Sequence, residues 1–422
     1  MSPRASIESA RHPVAGRMRT WVLRAFVRAC VWACAVERLW RPLPGHRERR
    51  ILVLVFGGLG DSLLCDSLFR RLREHWPGAR IDVVTAGFDA MWQRLESVDG
   101  VYFARLAGQT TLREYAEFIR RIYRARYDLC VEALAMMPLQ KTLPLLPGVL
   151  LTASQAPIGI ARPRRRGRPG GSGGGITHPI RPLAPGRRQA HETSTVLDAL
   201  GIRYQRKANE PSLIRDPGGD NAAGAIVRGG WAAAHDLVVG VVLETTYELK
   251  RWPLDNFLEL IRRGVNEGLK FVVLGLDTSH AKALSEVGSA DSVLDLSGLT
   301  DLDLLMSVIQ ECDLFVGADS GPVHIAQAYG VPTIALFGPS NDAEFGPVDT
   351  RLHTLITPAQ ALSCRPCVMG PCVMDRSCMY LITVDQVHEA LTRLAGTLRE
   401  RPRRAEPIER ERTEPLQVLG EL

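Results

Sequence analysis

Short apolar runs recur along the chain, each followed by a segment whose apolar residues return every three or four positions. ILVLVF (51–56), IDVVT (81–85), LVVGVVL (237–243), KFVVLG (270–275), DLFVGA (313–318) and TIALF (333–337) are near-continuous runs. Such runs predict parallel strands buried on both faces. Between them, 62–76, 253–268, 279–288, 301–312 and 384–398 have helical spacing. In the first of these, Leu64, Leu68 and Leu72 fall on one face and Arg70, Arg71, Arg73 and Glu74 mostly outside it. A helix over 112–126 leads to a strand near 128–132, and SVLDL (292–296) is a short strand. The alternation starts at Arg50 and restarts at Leu237. Two successive doubly wound α/β domains are the fold this predicts.

The expected organisation follows from where the alternation stops. Residues 1–49 form a basic extension, 50–202 an N-terminal Rossmann-like domain, 203–236 a linker with one short helix, and 237–398 a C-terminal Rossmann-like domain. Residues 399–422 read as a charged, disordered tail. Within the extension, Arg17, Arg24 and Arg28 share a helical stripe, with Trp21, Phe26, Val27, Val31 and Trp32 filling much of the rest. A helix lying on an anionic membrane surface and a helix packed on the body of the protein both fit this pattern. Its apolar run, Ala29 to Val36, is far too short to span a bilayer. Segment 161–188 is dominated by Arg, Gly and Pro; it cannot bury itself and is expected to be mobile.

Composition is that of a globular chain, 45% hydrophobic and 23% charged over 422 residues. The net charge of +6 is modest but unevenly placed, with arginine crowded in the extension, the 162–188 loop and the tail. Nine cysteines, with no secretory signal and cleavage site, suit a reduced cytoplasmic protein.

Three stretches carry candidate chemistry. At Asp313 to Asn341, a strand, a loop of small residues and a helix follow one another. Ser320 suits the helix N-cap and Pro322 its first turn, so free backbone N–H groups and the helix dipole form an anion site there. An ordinary ligand-free turn has the same outline. After the first strand comes Gly57-Gly58-Leu59-Gly60-Asp61. Leu63 stands where a dinucleotide fingerprint needs glycine, and no Gly-Lys-Ser/Thr follows, so neither common nucleotide loop is present. Asp61 is then either a helix N-cap or a general base at the crevice. The third stretch is ETTYELKRWP (244–253). Thr245 and Thr246 fall at the C-terminal end of a strand, where open α/β sheets bind ligands, and Lys250 is placed to meet a phosphate.

GGLGDSLLCDSLFRRLR, KRWP and GADSGPVHIAQAYGVPTIALFGPSN together resemble glycosyltransferase family 9, the ADP-heptose:lipopolysaccharide heptosyltransferases. The similarity runs over about Arg50 to Leu394. It implies a GT-B fold, with two Rossmann-like parallel-sheet domains facing a central crevice, and metal-independent transfer of heptose with inversion. Asp61 matches the catalytic base. Thr245, Thr246 and Lys250 match donor-phosphate residues, Asp277 a ribose contact and Thr300 an adenine-side position. Asp319, Ser320, Gly321 and His324 match the nucleotide-binding loop and helix. Gly60, with Arg162, Arg164, Arg165, Arg166 and Arg168, is expected on the acceptor side. The partners implied are a nucleotide-diphosphate sugar, an anionic glycolipid such as the lipopolysaccharide inner core, and the inner-membrane surface, with no nucleic acid and no required cofactor.

This chain departs from the family pattern at three places. Ser67 stands where many members have proline. Val242-Leu243-Glu244 replaces a frequent His-Pro-Gly, and the 162–175 loop is longer and more basic than usual. Asp301-Leu302-Asp303 has the spacing of a metal-binding pair, but the helical spacing of Leu302, Leu305 and Ile309 makes it a solvated helix start. Cys364, Cys367, Cys372 and Cys378 can hold a structural zinc ion or stand as reduced thiols.

Overall fold

A computed structural model describes residues 49–104, 112–135, 158–161, 178–179, 196–198, 200–203, 211–214, 217–367, 372–374, 377–400 and 416–421. The extension helix, most of the 161–188 segment and all five of its candidate arginines lie outside these residues.

The N-terminal sheet begins with β1 (Arg50–Phe56), followed by α1 (Leu59–Leu64), α2 (Asp66–His75) and β2 (Arg80–Thr85). Then come α3 (Asp89–Gln93), β3 (Gly100–Phe103), α4 (Leu112–Ala125), β4 (Leu129–Ala135), β5 (Ile158–Ala161) and β6 (His178–Pro179). The helix expected over 62–76 is two helices. Cys65 ends one and starts the next, so Leu63, Leu68 and Leu72 are buried while Leu64 is only partly so.

After α5 (Pro217–Val227) the C-terminal domain runs β7 (Val238–Val242), α6 (Leu254–Asn266), β8 (Lys270–Leu274), α7 (Ala281–Val287) and β9 (Val293–Asp295). It continues through α8 (Leu302–Glu311), β10 (Leu314–Ala318), α9 (Gly321–Ala328), β11 (Thr333–Leu336), α10 (Asp342–Phe345), β12 (His353–Ile356) and α11 (Val384–Glu400). The end of the chain is β13 (Gln417–Glu421).

That last strand corrects the expectation of a tail disordered throughout. β13 pairs with β3 in the N-terminal sheet, which has the order β13-β3-β2-β1-β4-β5-β6. Arg80 donates to the Gln417 side chain at 2.8 Å and Arg121 to the Leu419 carbonyl at 3.3 Å. Apolar residues in the final stretch Leu416-Gln417-Val418-Leu419 give it β character despite the charged residues before it.

The C-terminal sheet has the order β12-β11-β10-β7-β8-β9. The pairings in both sheets are parallel. In β7, Val238 and Val242 join the hydrophobic cluster continuous with the N-terminal domain, whereas Val239 and Val241 join the one under α11. This period-two division explains why the strand is apolar at every position: helices cover both faces. Strand order reverses at β1 beside β4 and at β7 beside β10. Ligand crevices form outside the C-terminal ends of strands at such points. Asp61, Lys250 and Asp319 follow β1, β7 and β10 respectively.

Candidate active site

Gly58, in extended conformation, is the N-cap of α1, and Asp61 is the third residue of the helix. The Asp61 carboxylate reaches back, its Oδ2 accepting from the Gly58 N–H at 3.2 Å. The N-cap reading of Asp61 is therefore corrected: Gly58 is the N-cap, and Asp61, at the third helical position, makes the back-reaching half of a capping box.

Opposite it, Asp319 directly follows β10 and is 4% exposed. Its Oδ2 accepts from Lys250 Nζ at 2.6 Å and its Oδ1 lies 3.1 Å from His324 Nε2. Burial alone raises this carboxyl, but the His324 hydrogen bond and the His324 and Lys250 charges hold it well below the usual carboxylate range. Ser320 occupies the N-cap position of α9 as expected, and Pro322 is in its first turn. Its hydroxyl, however, makes no capping bond and is buried without a partner, as is His324 Nδ1. Buried polar atoms of this kind normally find a partner, so both are unspent capacity beside a helix N-terminus.

The Lys250 loop is held from below. A single 3₁₀ turn, Glu248–Lys250, carries it. Ser377 donates to the Leu249 carbonyl at 2.6 Å, and the buried Trp252 indole donates to the Ile382 carbonyl at 2.9 Å. Thr245 donates its hydroxyl to the Tyr247 carbonyl at 2.7 Å, so it shapes this loop, while Thr246 is exposed.

On the far side of the C-terminal crevice, Glu244 accepts from the Leu276 N–H and, at 2.8 Å, from the Asp277 N–H. Asp277 is exposed and takes the Ser279 N–H at 2.9 Å, which lowers its carboxyl. Thr300 Oγ1 is buried without a partner. Sequence reasoning missed Glu244 as an organiser of this loop; nothing in its local spacing ties it to residues 32 and 33 positions away.

The two halves touch at the crevice. A Cβ on Gly60 would come within 2.8 Å of His324 Cδ2, and one on Gly321 within 2.8 Å of Leu59 Cδ2. These two glycines let α1 and α9 approach more closely than side chains permit. Gly60, expected on the acceptor side, thus lies against His324.

Asp301 caps α8 through the Leu304 N–H at 2.8 Å. Asp303 is not merely solvated, because Arg94 from the other domain meets it at 2.7 Å. Cys364, Cys367, Cys372 and Cys378 are unbridged. Among the described residues no group of three or more His, Cys, Asp or Glu side chains is placed to hold a metal ion. Nor is any described helix long and apolar enough to cross a membrane.

Residues 203–376 match the model of glycosyltransferase family 9 (heptosyltransferase). The lipooligosaccharide heptosyltransferase 2 of Campylobacter jejuni subsp. jejuni serotype O:6 is 26% identical over 152 residues, 35% of this chain and 47% of that protein. The chain thus spans about half the length of this curated relative, or less of others. The fold is that of the glycosyl transferase family 9 protein from Veillonella parvula DSM 2008 (TM-score 0.66, 20% identity, 84% of this chain and 100% of that one). E. coli ADP-heptose LPS heptosyltransferase II shares it too (TM-score 0.61, 19% identity, 82% and 99%). The two parallel sheets thus have the GT-B arrangement of these solved structures, and residues 203–376 carry the likeness to glycosyltransferase family 9 (heptosyltransferase).

Proposed function

We propose that this protein is an inverting, metal-independent glycosyltransferase that moves a heptose from a nucleotide diphosphate, ADP-heptose being favoured, to a glycolipid such as the lipopolysaccharide inner core. The observation that carries this reading is the facing of two sets of groups. Asp61 stands on one domain and the Asp319–Lys250–His324 set on the other, with Gly60 against His324 between them. The names of the relatives supply the sugar class and the acceptor class.

The chemistry needs a base on one side of the anomeric carbon and an anion site on the other. The acceptor hydroxyl gives its proton to Asp61 as its oxygen bonds the anomeric carbon. The bond to the phosphate oxygen breaks on the opposite face, which inverts the centre, and the electron pair leaves with the diphosphate. Lys250, the α9 N-terminus and the Ser320 hydroxyl take up that charge.

The acceptor enters from the N-terminal domain, where Arg162, Arg164, Arg165, Arg166 and Arg168 suit phosphate and sugar carboxylate groups. The basic extension holds the enzyme at the cytoplasmic face of the inner membrane. A second reading, the same fold with another donor or acceptor, is favoured by Glu244, a carboxylate where the family pattern is His-Pro-Gly. Incubating the pure protein with a panel of sugar nucleotides and following slow hydrolysis, then transfer to purified inner-core acceptor, tests the reading. Hydrolysis of ADP-heptose alone is expected; turnover of a different sugar nucleotide selects the second reading, and none at all leaves a binding protein. Activity is expected to survive EDTA, and loss with restoration by magnesium would contradict the metal-independent route.

A further inference from the structure

Arg94 follows α3 in the N-terminal domain, yet its side chain ends in the C-terminal one. It is 3% exposed. Its Nη1 meets Asp303 Oδ1 at 2.7 Å and approaches Met306 sulfur at 3.8 Å, while its Nη2 meets Ser307 Oγ at 3.1 Å. Positions 303, 306 and 307 are one face of α8, so the planar fork engages a single side of a single helix. Burying a guanidinium is costly unless its donors are matched, and the groups that Nη1 and Nη2 meet here come from the opposite domain.

The backbone of Arg94 belongs to the same junction. Its carbonyl accepts the Ile214 N–H at 2.9 Å. The neighbouring Leu213 N–H goes instead to the Ala328 carbonyl at the end of α9, at 3.2 Å. Ser212 N–H goes to Asp66 Oδ2 on α2, at 3.0 Å. Residues 212–214, where the chain passes between domains, are therefore bonded alternately to both. Asp66 lies five residues beyond Asp61, and Ala328 closes the helix that Ser320 opens.

Among the described residues, the domains share a hydrophobic cluster, with a close contact at the crevice (Gly60 and His324, Leu59 and Gly321) and a polar one around Arg94. Apolar packing is non-directional, whereas the Arg94 fork fixes one helix against the other domain by direction as well as by distance. We infer that Arg94 is a positioning residue, the strut that sets the angle between the domain bearing Asp61 and the domain bearing Lys250 and Asp319. The kinetic part of this inference rests on the glycosyl-transfer reading; the geometric part does not. Misplacing reacting groups by about 1 Å can cost about 100-fold in rate.

The test uses the full chain with spin labels on noncanonical residues at Glu74 and Lys282, both exposed and on different domains. Arg94→Met keeps an apolar side chain of similar reach and removes the fork. Asp303→Asn removes the partner charge from the half-exposed side and guards against a failure of Arg94→Met to fold. Both are expected to broaden the distance distribution, with Arg94→Lys recovering part of its sharpness. In turnover assays kcat is expected to fall about 10- to 100-fold while ADP affinity by calorimetry stays within about 2-fold, because the ADP groups all sit on one domain. Wild-type distance distributions in both Arg94→Met and Asp303→Asn would overturn the inference. If wild-type protein proves inactive with every sugar nucleotide, the transfer reading fails, and the distance measurement still decides the strut.

Discussion

Lys250 and Asp319 are bonded at 2.6 Å, with the carboxylate nearly sealed from solvent and the lysine about one-third exposed. On the glycosyl-transfer proposal, the cation offered to the donor diphosphate is held in place by a carboxylate at the end of the neighbouring strand. A lysine tethered in this way loses less side-chain freedom when it meets phosphate than a solvated one. Lys250→Ala is expected to weaken binding of a nucleoside diphosphate about 10- to 100-fold, the worth of a charged hydrogen bond, with little change for the bare nucleoside. Calorimetry with ADP and adenosine checks this; equal losses would mean that Lys250 does not meet phosphate.

Asp61→Asn is expected to lower turnover about 100- to 10,000-fold, the usual contribution of a general base, while ADP binding is retained. An asparagine oxygen can still accept the Gly58 N–H, so this bond and the start of α1 should survive. Circular dichroism and ADP titration check the fold and site. Wild-type turnover at saturating substrate would remove Asp61 from the mechanism.

Much of this site was legible before the structure. Strands buried on both faces announce themselves by continuous apolar runs, so β1, β7, β8, β10 and β11 could be read along with the loops at their ends. What the sequence did not show depends on distant partners. The pairing of Lys250 with Asp319 spans 69 residues, and that of Arg94 with Asp303 spans 209. Neither has a local signature. The break at Cys65 was hidden because Leu64, Leu68 and Leu72 keep helical spacing across it. β13 was obscured by the charged stretch before it, since its own apolar side chains are only Val418 and Leu419.

Gly60→Ala tests the contact across the crevice. The added methyl would meet His324 Cδ2 at 2.8 Å, closer than side chains tolerate. Either His324 moves, disturbing its bond to Asp319, or the domains part. The expected result is a loss of about 1–3 kcal/mol of stability, typical of overpacking, together with reduced turnover. Chemical denaturation and transfer assays check the pair of effects. A variant with unchanged stability and rate would show that the crevice is open wider than the Gly60–His324 contact implies.

Asp66 carries the clearest pH dependence. Its carboxyl is buried, takes the Ser97 hydroxyl and the Ser212 N–H, and lies 4.0 Å from Arg70. Burial pushes it up from the ordinary 3.8 to about 6, against the lowering effect of the Ser97, Ser212 and Arg70 interactions and with a small push from Glu96. The folded protein therefore holds this proton to a higher pH than the unfolded chain does. The stability contributed by Asp66 is complete below about pH 4 and is lost as pH rises to and through about 6. At about 1.4 kcal/mol per pKa unit, ionising it in place costs about 3 kcal/mol. An asparagine in its place would keep the geometry, its oxygen accepting from Ser212 and its amide donating to Ser97, without the buried charge. Asp66→Asn is thus expected to match wild type near pH 4 and to exceed it by up to about 3 kcal/mol at pH 7, with most of the gap opening between pH 4 and 6. Urea unfolding of both proteins across that range checks it. A gap that stays constant with pH would mean that Asp66 does not titrate in the folded protein over this window.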